Sequence, residues 1–366
     1  MTRETPLHAV HERLGASFTD FAGYQMPVRY SSDLAEHHAV RQGAGLFDLS
    51  HMAEIECTGP QVEAFLDYAL SNSLSALVDG QAKYSLLLAD DGGVIDDLIV
   101  YRLGENKYLI VANAANRDVA VEALQSRASG FDVTVSDTSD EWALIALQGP
   151  FAASILEASP VELSMPFADL RYYRITTGSY GGHEVLVART GYTGEDGMEI
   201  FIHSSEAEAL WNSLMEVGAD QLTLCGLACR DTLRLEAGMP LYGHELSLDV
   251  TPAQAGLSAV VVNTKESFVG KDAALEHKTS RVLVGLSAEG KRAPRAGYPV
   301  LDGSGTAVGE ITSGALSPTL GHPIAMAFVE AEHREPGTEL VVDVRGASLP
   351  VTVTTLPFYS RKKVTS

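Results

Sequence analysis

Residues 83–103, KYSLLLADDGGVIDDLIVYRL, constrain the fold more tightly than any other stretch, because two apolar runs flank Asp90, Asp91, Gly92 and Gly93. That arrangement predicts a β-hairpin whose turn is supplied by the acids and glycines. The second strand then holds two adjacent acids, Asp96 and Asp97, inside an otherwise apolar run. Side chains alternate along a strand, so the two must point to opposite faces. One face carries Val94, Asp96, Leu98 and Val100; the other carries Ile95, Asp97, Ile99 and Tyr101. At least one carboxylate therefore projects among apolar neighbours, where a charge is costly unless something polar meets it. Two readings are open at this point. One acid faces solvent at the strand start while the other caps a turn or pairs with an Arg, or one of them is a binding or catalytic carboxylate.

A chain of 366 residues exceeds what one hydrophobic core usually holds, so two or three packed units are expected. With 48 acids against 26 Lys and Arg the net charge is -22, which disfavours nucleic acid as a partner by repelling phosphates over most of the surface. Basic residues still cluster in KRAPR at 291–295 and RKK at 361–363, either as solvated surface runs or as steering for an anionic ligand or partner. The three cysteines, Cys57, Cys225 and Cys229, offer no disulfide framework, and a reducing compartment follows. Cys225 and Cys229 lie four residues apart on a helical stretch with no completing His or Cys, so small core residues are expected. The N-terminal MTRETPLHAVHERL lacks an apolar signal core, and no window has the length of a transmembrane helix. A cytoplasmic protein without membrane association is the expectation.

Helical patterns cover 32–43, with Ser32 or Asp33 as cap, and 60–70, with Pro60 in the first turn; others cover 116–128, 205–217, 225–237 and 268–278. Strands are more numerous: AEIEC, KYSLLLA, VIDDLIVYRL, KYLIVAN, FDVTVS, WALIALQ, YYRITT, EVLVAR, MEIFIH, SAVVV and RVLVGLS. Past residue 280 the chain is almost entirely short strands with Gly and Pro turns. This predicts an α+β body over 1–280 and a separate all-β domain over 281–366. No repeat and no low-complexity tract is visible.

The sequence has no P-loop, no GxGxxG turn, no GxSxG elbow and no HExxH helix. His37 and His38 fall on an expected exposed helix, and His51 in FDLSHM suits a supporting or core role, so no metal site is expected. The loop RTGYTGEDG at 189–197, set between apolar strands, is richer. With Glu199 behind it, Arg189, Tyr192, Glu195 and Asp196 offer donors, an aromatic face and carboxylates, a set that can grip a flat heterocycle with an amino-amide edge. The competing reading is an ordinary turn with Gly191, Gly194 and Gly197 at left-handed positions and solvated acids. Downstream, Arg230 and Arg234 sit four residues apart on one helix face, and either suits a structural ion pair as well.

Taken in order, these strings closely resemble the aminomethyltransferase (T protein) family of the glycine cleavage system. The resemblance runs from TPLHAVHERLGASFTDFAGYQMPVRY and FDLSHM through GGVIDDLIVYRL, VANAANRD, ALQGP, RTGYTGEDGMEIF and GLACRDTLRLEAGMPLYGHEL to FVGKDAALEHK, GEITSGALSPTLG and PFY. It implies a three-domain cloverleaf around a central folate-binding hole, with two interleaved units in the α+β body, the second roughly 53–140, and a C-terminal barrel or jelly-roll-like domain. It further implies transfer of the methylene of an aminomethyl group from the dihydrolipoyl arm of H protein to tetrahydrofolate, giving 5,10-methylenetetrahydrofolate and ammonia. Tetrahydrofolate is then a cosubstrate, with no metal, and glycine decarboxylase and dihydrolipoyl dehydrogenase belong to the same system.

By resemblance Asp97 is the catalytic residue, holding the attacking folate amine and stabilising developing positive charge. Glu199 would grip the pterin and Arg230 add a polar contact, with Tyr84, Asn113, Tyr192 and Tyr359 around the folate; Met52, Arg189, Glu195 and Arg292 are secondary candidates. The basic runs would meet folate's glutamyl tail and an acidic H protein. Related functions are a folate-dependent demethylase of a small methylated compound, or a non-catalytic folate-binding protein, whose KGCYxGQ-type motif is absent here.

Overall fold

The computed structural model describes residues 2–276 and 280–361. The chain divides into two compact units, Met1–Leu87 with Asp97–Arg230, and Leu88–Asp96 with Asp231–Ser366. The first is α+β. Its seven-stranded sheet runs in the order Glu162–Leu163, Ile175–Tyr180, His183–Ala188, Gly197–His203, Trp142–Gln148, Ala44–Asp48, Leu222–Leu224, antiparallel except for the last pair. Met198, Ile200 and Ile202 join Ile145, Leu147, Val185 and Val187 in one core. The helices Ala152–Ala158 and Ala207–Gly218 supply Leu156 and Trp211 to it. Because strand residues alternate, burying Met198 and Ile200 there sends Glu199 and Phe201 to the sheet's other face.

A five-stranded sheet follows the order Ala82–Leu88, Val94–Gly104, Lys107–Ala112, Ala53–Thr58, Thr134–Asp137. The hairpin read from the sequence is present: Ala89 N–H donates to Gly93 O at 2.8 Å and Gly92 N–H to Ala89 O at 2.9 Å, with Gly92 at φ 84°. That left-handed φ is open to glycine at no steric penalty. Gly93 is needed for a different reason. A Cβ there would lie 2.0 Å from the Leu248 carbonyl oxygen and 2.8 Å from its carbonyl carbon. Val94 N–H, which reaches Ser247 O at 3.0 Å and Val250 O at 3.2 Å, pins that backbone in place. Gly93→Ala is therefore expected to destabilise the protein by about 3 kcal/mol or more through overpacking. Urea denaturation measures it, and an unchanged midpoint would mean that 247–250 yields freely.

The second unit contains a closed barrel, in the order Arg281–Ser287, Pro323–Glu330, Ala307–Leu316, Pro299–Leu301, Glu339–Val344, Ala347–Thr354. Its interior is aliphatic, with Val284, Leu286, Val300, Ile311, Val342 and Val353 among the contributors, and closure removes the exposed sheet edges. Leu235 packs with Ala315, Ile324 and Met326 beside the barrel, so the end of the helix Leu227–Glu236 belongs to this unit.

Local expectations fare unevenly. Ser32 is the cap of the helix Asp33–Gln42, accepting from Ala35 N–H at 3.1 Å. Pro60 lies before the helix Val62–Ala69 rather than in its first turn. His37 is fully buried, not exposed, because Glu36, His37 and Val40 form the inward face of their helix. SAVVV is not a strand: Ser258–Val260 is a short 3-10 turn, closed by Val260 N–H to Leu257 O at 3.1 Å, which overrides the β preference of its valines. All three cysteines are free and buried, as small core residues. No helix among the described residues is long and apolar enough to cross a membrane.

Candidate functional site

The strand Val94–Gly104 alternates as expected over its acids. Asp96 is 0% exposed on the face with Val94, Leu98 and Val100, whereas Asp97 is half-buried on the other face. Asp97 is clamped through both oxygens: Tyr84 Oη donates to Oδ2 at 2.9 Å and Asn113 Nδ2 donates to Oδ1 at 2.8 Å. Asn113 also reaches the Asp97 carbonyl at 3.0 Å, tying side chain and backbone together. Tyr84 comes from the neighbouring strand and Asn113 from the residue just after Lys107–Ala112, so the sheet itself sets the clamp. Burial pushes the Asp97 carboxyl above the ordinary range, against the two hydrogen bonds, which favour the ionised form. Burial also drives the Tyr84 phenol far up, keeping it a donor at neutral pH.

Glu199 stands in the same unit, on the sheet face opposite the helices. It is 8% exposed and accepts a hydrogen bond at Oε2 from Thr190 Oγ1. Thr190 in turn lies 3.1 Å from the Tyr101 hydroxyl, and the Tyr101 ring meets Phe201 edge-on with centroids 5.9 Å apart. Burial raises the Glu199 carboxyl, while the Thr190 bond and the charge of Arg230 lower it. Arg230 places its guanidinium over the Tyr192 ring, 4.8 Å from the centroid, a cation–π geometry. Burial lowers the Arg230 pKa, and Glu199 and Tyr192 counter that shift. Arg230 and Tyr192 thus present a charged plane stacked on an aromatic one, close in charge to a buried carboxylate.

The loop carrying Tyr192 spans 189–196, Gly197 being the first residue of its strand. Of its glycines only Gly194 is left-handed, at φ 78°. Gly191 and Gly197 are required by close approach instead: a Cβ would lie 2.0 Å from Gln148 Oε1 at the first and 2.4 Å from Leu147 O at the second. Both acids of the loop are paired with arginines. Glu195 pairs with Arg41 at 3.0 Å, both side chains almost wholly buried. Asp196 holds Arg189 in a two-pronged pair, Nε to Oδ1 at 3.0 Å and Nη2 to Oδ2 at 2.5 Å, with Arg189 also over the Phe167 ring. Arg189 and Glu195 therefore shape the loop, and Glu199 is the carboxylate that faces Arg230.

Met52 precedes the strand Ala53–Thr58, whose Ala53 pairs with Ala112 next to Asn113. Met52 itself is half-buried in the turn after Asp48, its N–H donating to Leu49 O at 2.9 Å. In the second unit Tyr359 N–H donates to Glu236 O at 2.8 Å, and Arg292 is exposed beside the exposed Lys291 and Arg295. Lys362 and Lys363 fall outside the described residues. Arg234 is the ion-pair partner of its helix, bound to Glu245 at 3.1 Å and Asp231 at 2.8 Å. His51 is buried edge-on to Phe21 and Tyr24, and burial pulls its pKa to about 4, leaving a neutral ring.

Three residues near the two carboxylates escaped the sequence reading: Tyr101, Thr190 and Tyr173. Tyr101 was legible in part, since it shares the Asp97 face of its strand. Tyr173 has a left-handed φ of 60°, held by its N–H to Arg189 O at 3.0 Å and by Ala82 N–H to its carbonyl at 2.9 Å. Burial and the nearby charges of Tyr172, Glu199 and Asp97 all raise its phenol, so it stays neutral. A left-handed tyrosine leaves no mark in sequence.

Residues 7–265 match the family model described as the GCVT N-terminal domain, and residues 281–360 match the glycine cleavage T-protein C-terminal barrel domain. An aminomethyltransferase of Cutibacterium acnes is 59% identical over 368 residues, covering 98% of this chain and 99% of that protein. One of Saccharopolyspora erythraea is 54% identical, covering 98% of each. The crystal structure of the glycine cleavage system aminomethyltransferase T from Bartonella henselae superposes with a TM-score of 0.91 at 38% identity, over 98% of each chain.

Proposed function

Because this chain belongs to the glycine cleavage T-protein family of aminomethyltransferases, we propose that its two carboxylates divide the work of one-carbon transfer to tetrahydrofolate. The observation that carries the reading is Asp97, an acid on a half-open strand face whose two oxygens are each held by a neutral donor. Such a carboxylate is oriented yet keeps lone pairs for a substrate amine. Glu199 accepts the paired N–H donors of the pterin's amino-amide edge, while Arg230 and Tyr192 supply a charged contact and a stacking face. With the pterin held by Glu199, its amine lies toward Asp97 and attacks the methylene carried by the dihydrolipoyl arm of H protein. Two carbon–nitrogen bonds to folate form, one to each of its two amines, as the carbon–sulfur and carbon–nitrogen bonds of the aminomethyl group break; the thiol and ammonia leave carrying the two amine protons. Positive charge grows on the one-carbon unit in that step, and Asp97 stabilises it and can accept the amine's proton. Holding each carboxylate by its own hydrogen bonds contributes by orientation.

Lipoylated H protein, acting with glycine decarboxylase and dihydrolipoyl dehydrogenase, is the partner in this proposal, and the three free buried thiols support a cytoplasmic site of action. The exposed run Lys291, Arg292 and Arg295 offers an anionic partner a steering surface. Replacing Arg292, Arg295 and Arg361 together by Gln is expected to lower H-protein-dependent kcat/KM about tenfold at low salt and to flatten its salt dependence. Steady-state kinetics at two ionic strengths measure both effects, and unchanged values would remove this surface from the docking account. The transfer reaction itself is tested by following methylenetetrahydrofolate formation from aminomethylated H protein and tetrahydrofolate; no product with the intact protein would overturn the assignment.

A further inference from the structure

One polar chain in the first unit is not used by the transfer chemistry. Tyr101 lies on the Asp97 face of its strand, four residues on, and is 1% exposed. Its hydroxyl is 3.1 Å from Thr190 Oγ1, and Thr190, 2% exposed, donates its hydrogen to Glu199 Oε2. An ionised carboxylate only accepts, so the single Thr190 hydrogen goes to Glu199 and Tyr101 donates to Thr190. The chain therefore runs in one direction, from the Asp97 strand to Glu199.

We propose that Thr190 and Tyr101 are positioning residues of the folate site, which fix the plane and the charge of Glu199 and its place relative to the Asp97 strand. The inference rests on the Glu199 reading above. A carboxylate receives two parallel N–H donors only when its plane matches theirs, and its terminal torsion is soft. Thr190 stops that rotation by holding Oε2, and Tyr101 fixes the Thr190 hydroxyl. The groups facing Glu199 are Thr190 from the loop, Tyr101 from the Asp97 strand, Tyr173 from the turn before Ile175–Tyr180, and Arg230 from the helix Leu227–Glu236. Burial keeps both phenols protonated, so Arg230 is the charged one at neutral pH. Burial raises the Glu199 carboxyl and the Thr190 bond lowers it, so removing the bond moves protonation to higher pH. Binding that needs the ionised carboxylate then fails earlier on acidification.

The test is calorimetric titration of the full-length protein with tetrahydrofolate from pH 5 to 8.5, for wild type, Thr190→Val, Thr190→Ser, Tyr101→Phe and Glu199→Gln. Thr190→Val is expected to raise the Kd at pH 7 about tenfold to a hundredfold, the range of a hydrogen bond to an ionised group, and to move the acid limb to higher pH. Thr190→Ser should restore both, and Tyr101→Phe should give a smaller shift in the same direction. Wild-type Kd and acid limb in Thr190→Val and Tyr101→Phe overturn the proposal. Weakening that is equal at every pH also overturns it, because lost packing alone would give that. If Thr190→Val does not fold by circular dichroism, Tyr101→Phe, which keeps the ring against Phe201, decides. Glu199→Gln separates the two ideas. Wild-type binding by it sinks the Glu199 reading; lost binding by it beside wild-type behaviour of the other variants sinks only the positioning role.

Discussion

Asp97→Asn is expected to lower methylene transfer from aminomethylated H protein by about a hundredfold to ten-thousandfold, the span of a lost acid–base and electrostatic contribution. Tetrahydrofolate affinity should change by less than about threefold, because Glu199, Arg230 and Tyr192 are untouched. The amide nearly matches the carboxylate in shape but not in charge. Its oxygen can accept from Asn113 while its NH2 donates to the Tyr84 hydroxyl, which turns from donor to acceptor, so the contacts at 2.8 and 2.9 Å persist with one of them reversed. Folding stability is expected to move by no more than about 1 kcal/mol, since weaker neutral hydrogen bonds replace charge-assisted ones while a buried charge is relieved. The sign of the latter follows from the raised Asp97 pKa. A carboxyl that holds its proton more tightly folded than unfolded destabilises the fold above the unfolded pKa, and Asn removes that penalty. The same shift sets the wild-type pH profile: turnover should fall on acidification at a pH above the ordinary aspartate range, as Asp97 protonates. Coupled assays with single-turnover controls measure all of this. Turnover near wild type in Asp97→Asn would show that another group carries the step.

Arg234→Ala is expected to give the largest loss of stability, about 3 to 5 kcal/mol, because it leaves a buried charge uncompensated. Arg234 is 1% exposed and its partner Glu245 is 0% exposed, joined at 3.1 Å. Arg234 also donates to Ser313 at 2.8 Å and to the Met239 carbonyl at 3.2 Å, and Glu245 accepts from Ser313 at 2.6 Å. Ser313 sits on the barrel strand Ala307–Leu316, so the network binds the helix end, the 239–245 turn and the barrel within one unit. Truncating Arg234 empties the centre of that network. Replacing both partners with apolar residues, Arg234→Met with Glu245→Leu, should recover most of the loss, since no orphaned charge remains. Chemical denaturation of the single and double variants measures it. A loss below about 1 kcal/mol for Arg234→Ala would mean that water reaches Glu245 freely.

Much of this was legible from local pattern. The period-2 run around Asp96 and Asp97, the Asp-Asp-Gly-Gly turn and the strand-rich end beyond residue 280 each rest on short-range chemistry, and each appears in the structure. Where local pattern misled, a longer-range contact was responsible. Gly191 and Gly197 looked like left-handed turn residues but exist to admit Gln148 and Leu147 from another strand. His37 looked solvated, yet tertiary packing buries that helix face, and the valines of SAVVV are held in a 3-10 turn.

Sequence by itself determined the family, the α+β body, the barrel strands and the opposition of Asp96 and Asp97, because these follow from residue order and backbone periodicity. The tertiary structure alone decided how each acid and arginine is used. Glu195 and Asp196 are taken by Arg41 and Arg189, Arg234 by Glu245, while Arg230 is stacked on Tyr192 and Glu199 is held by Thr190. The physical reason is that a charge's role depends on which partners and how much water lie within a few ångströms, and strands far apart in the chain set both.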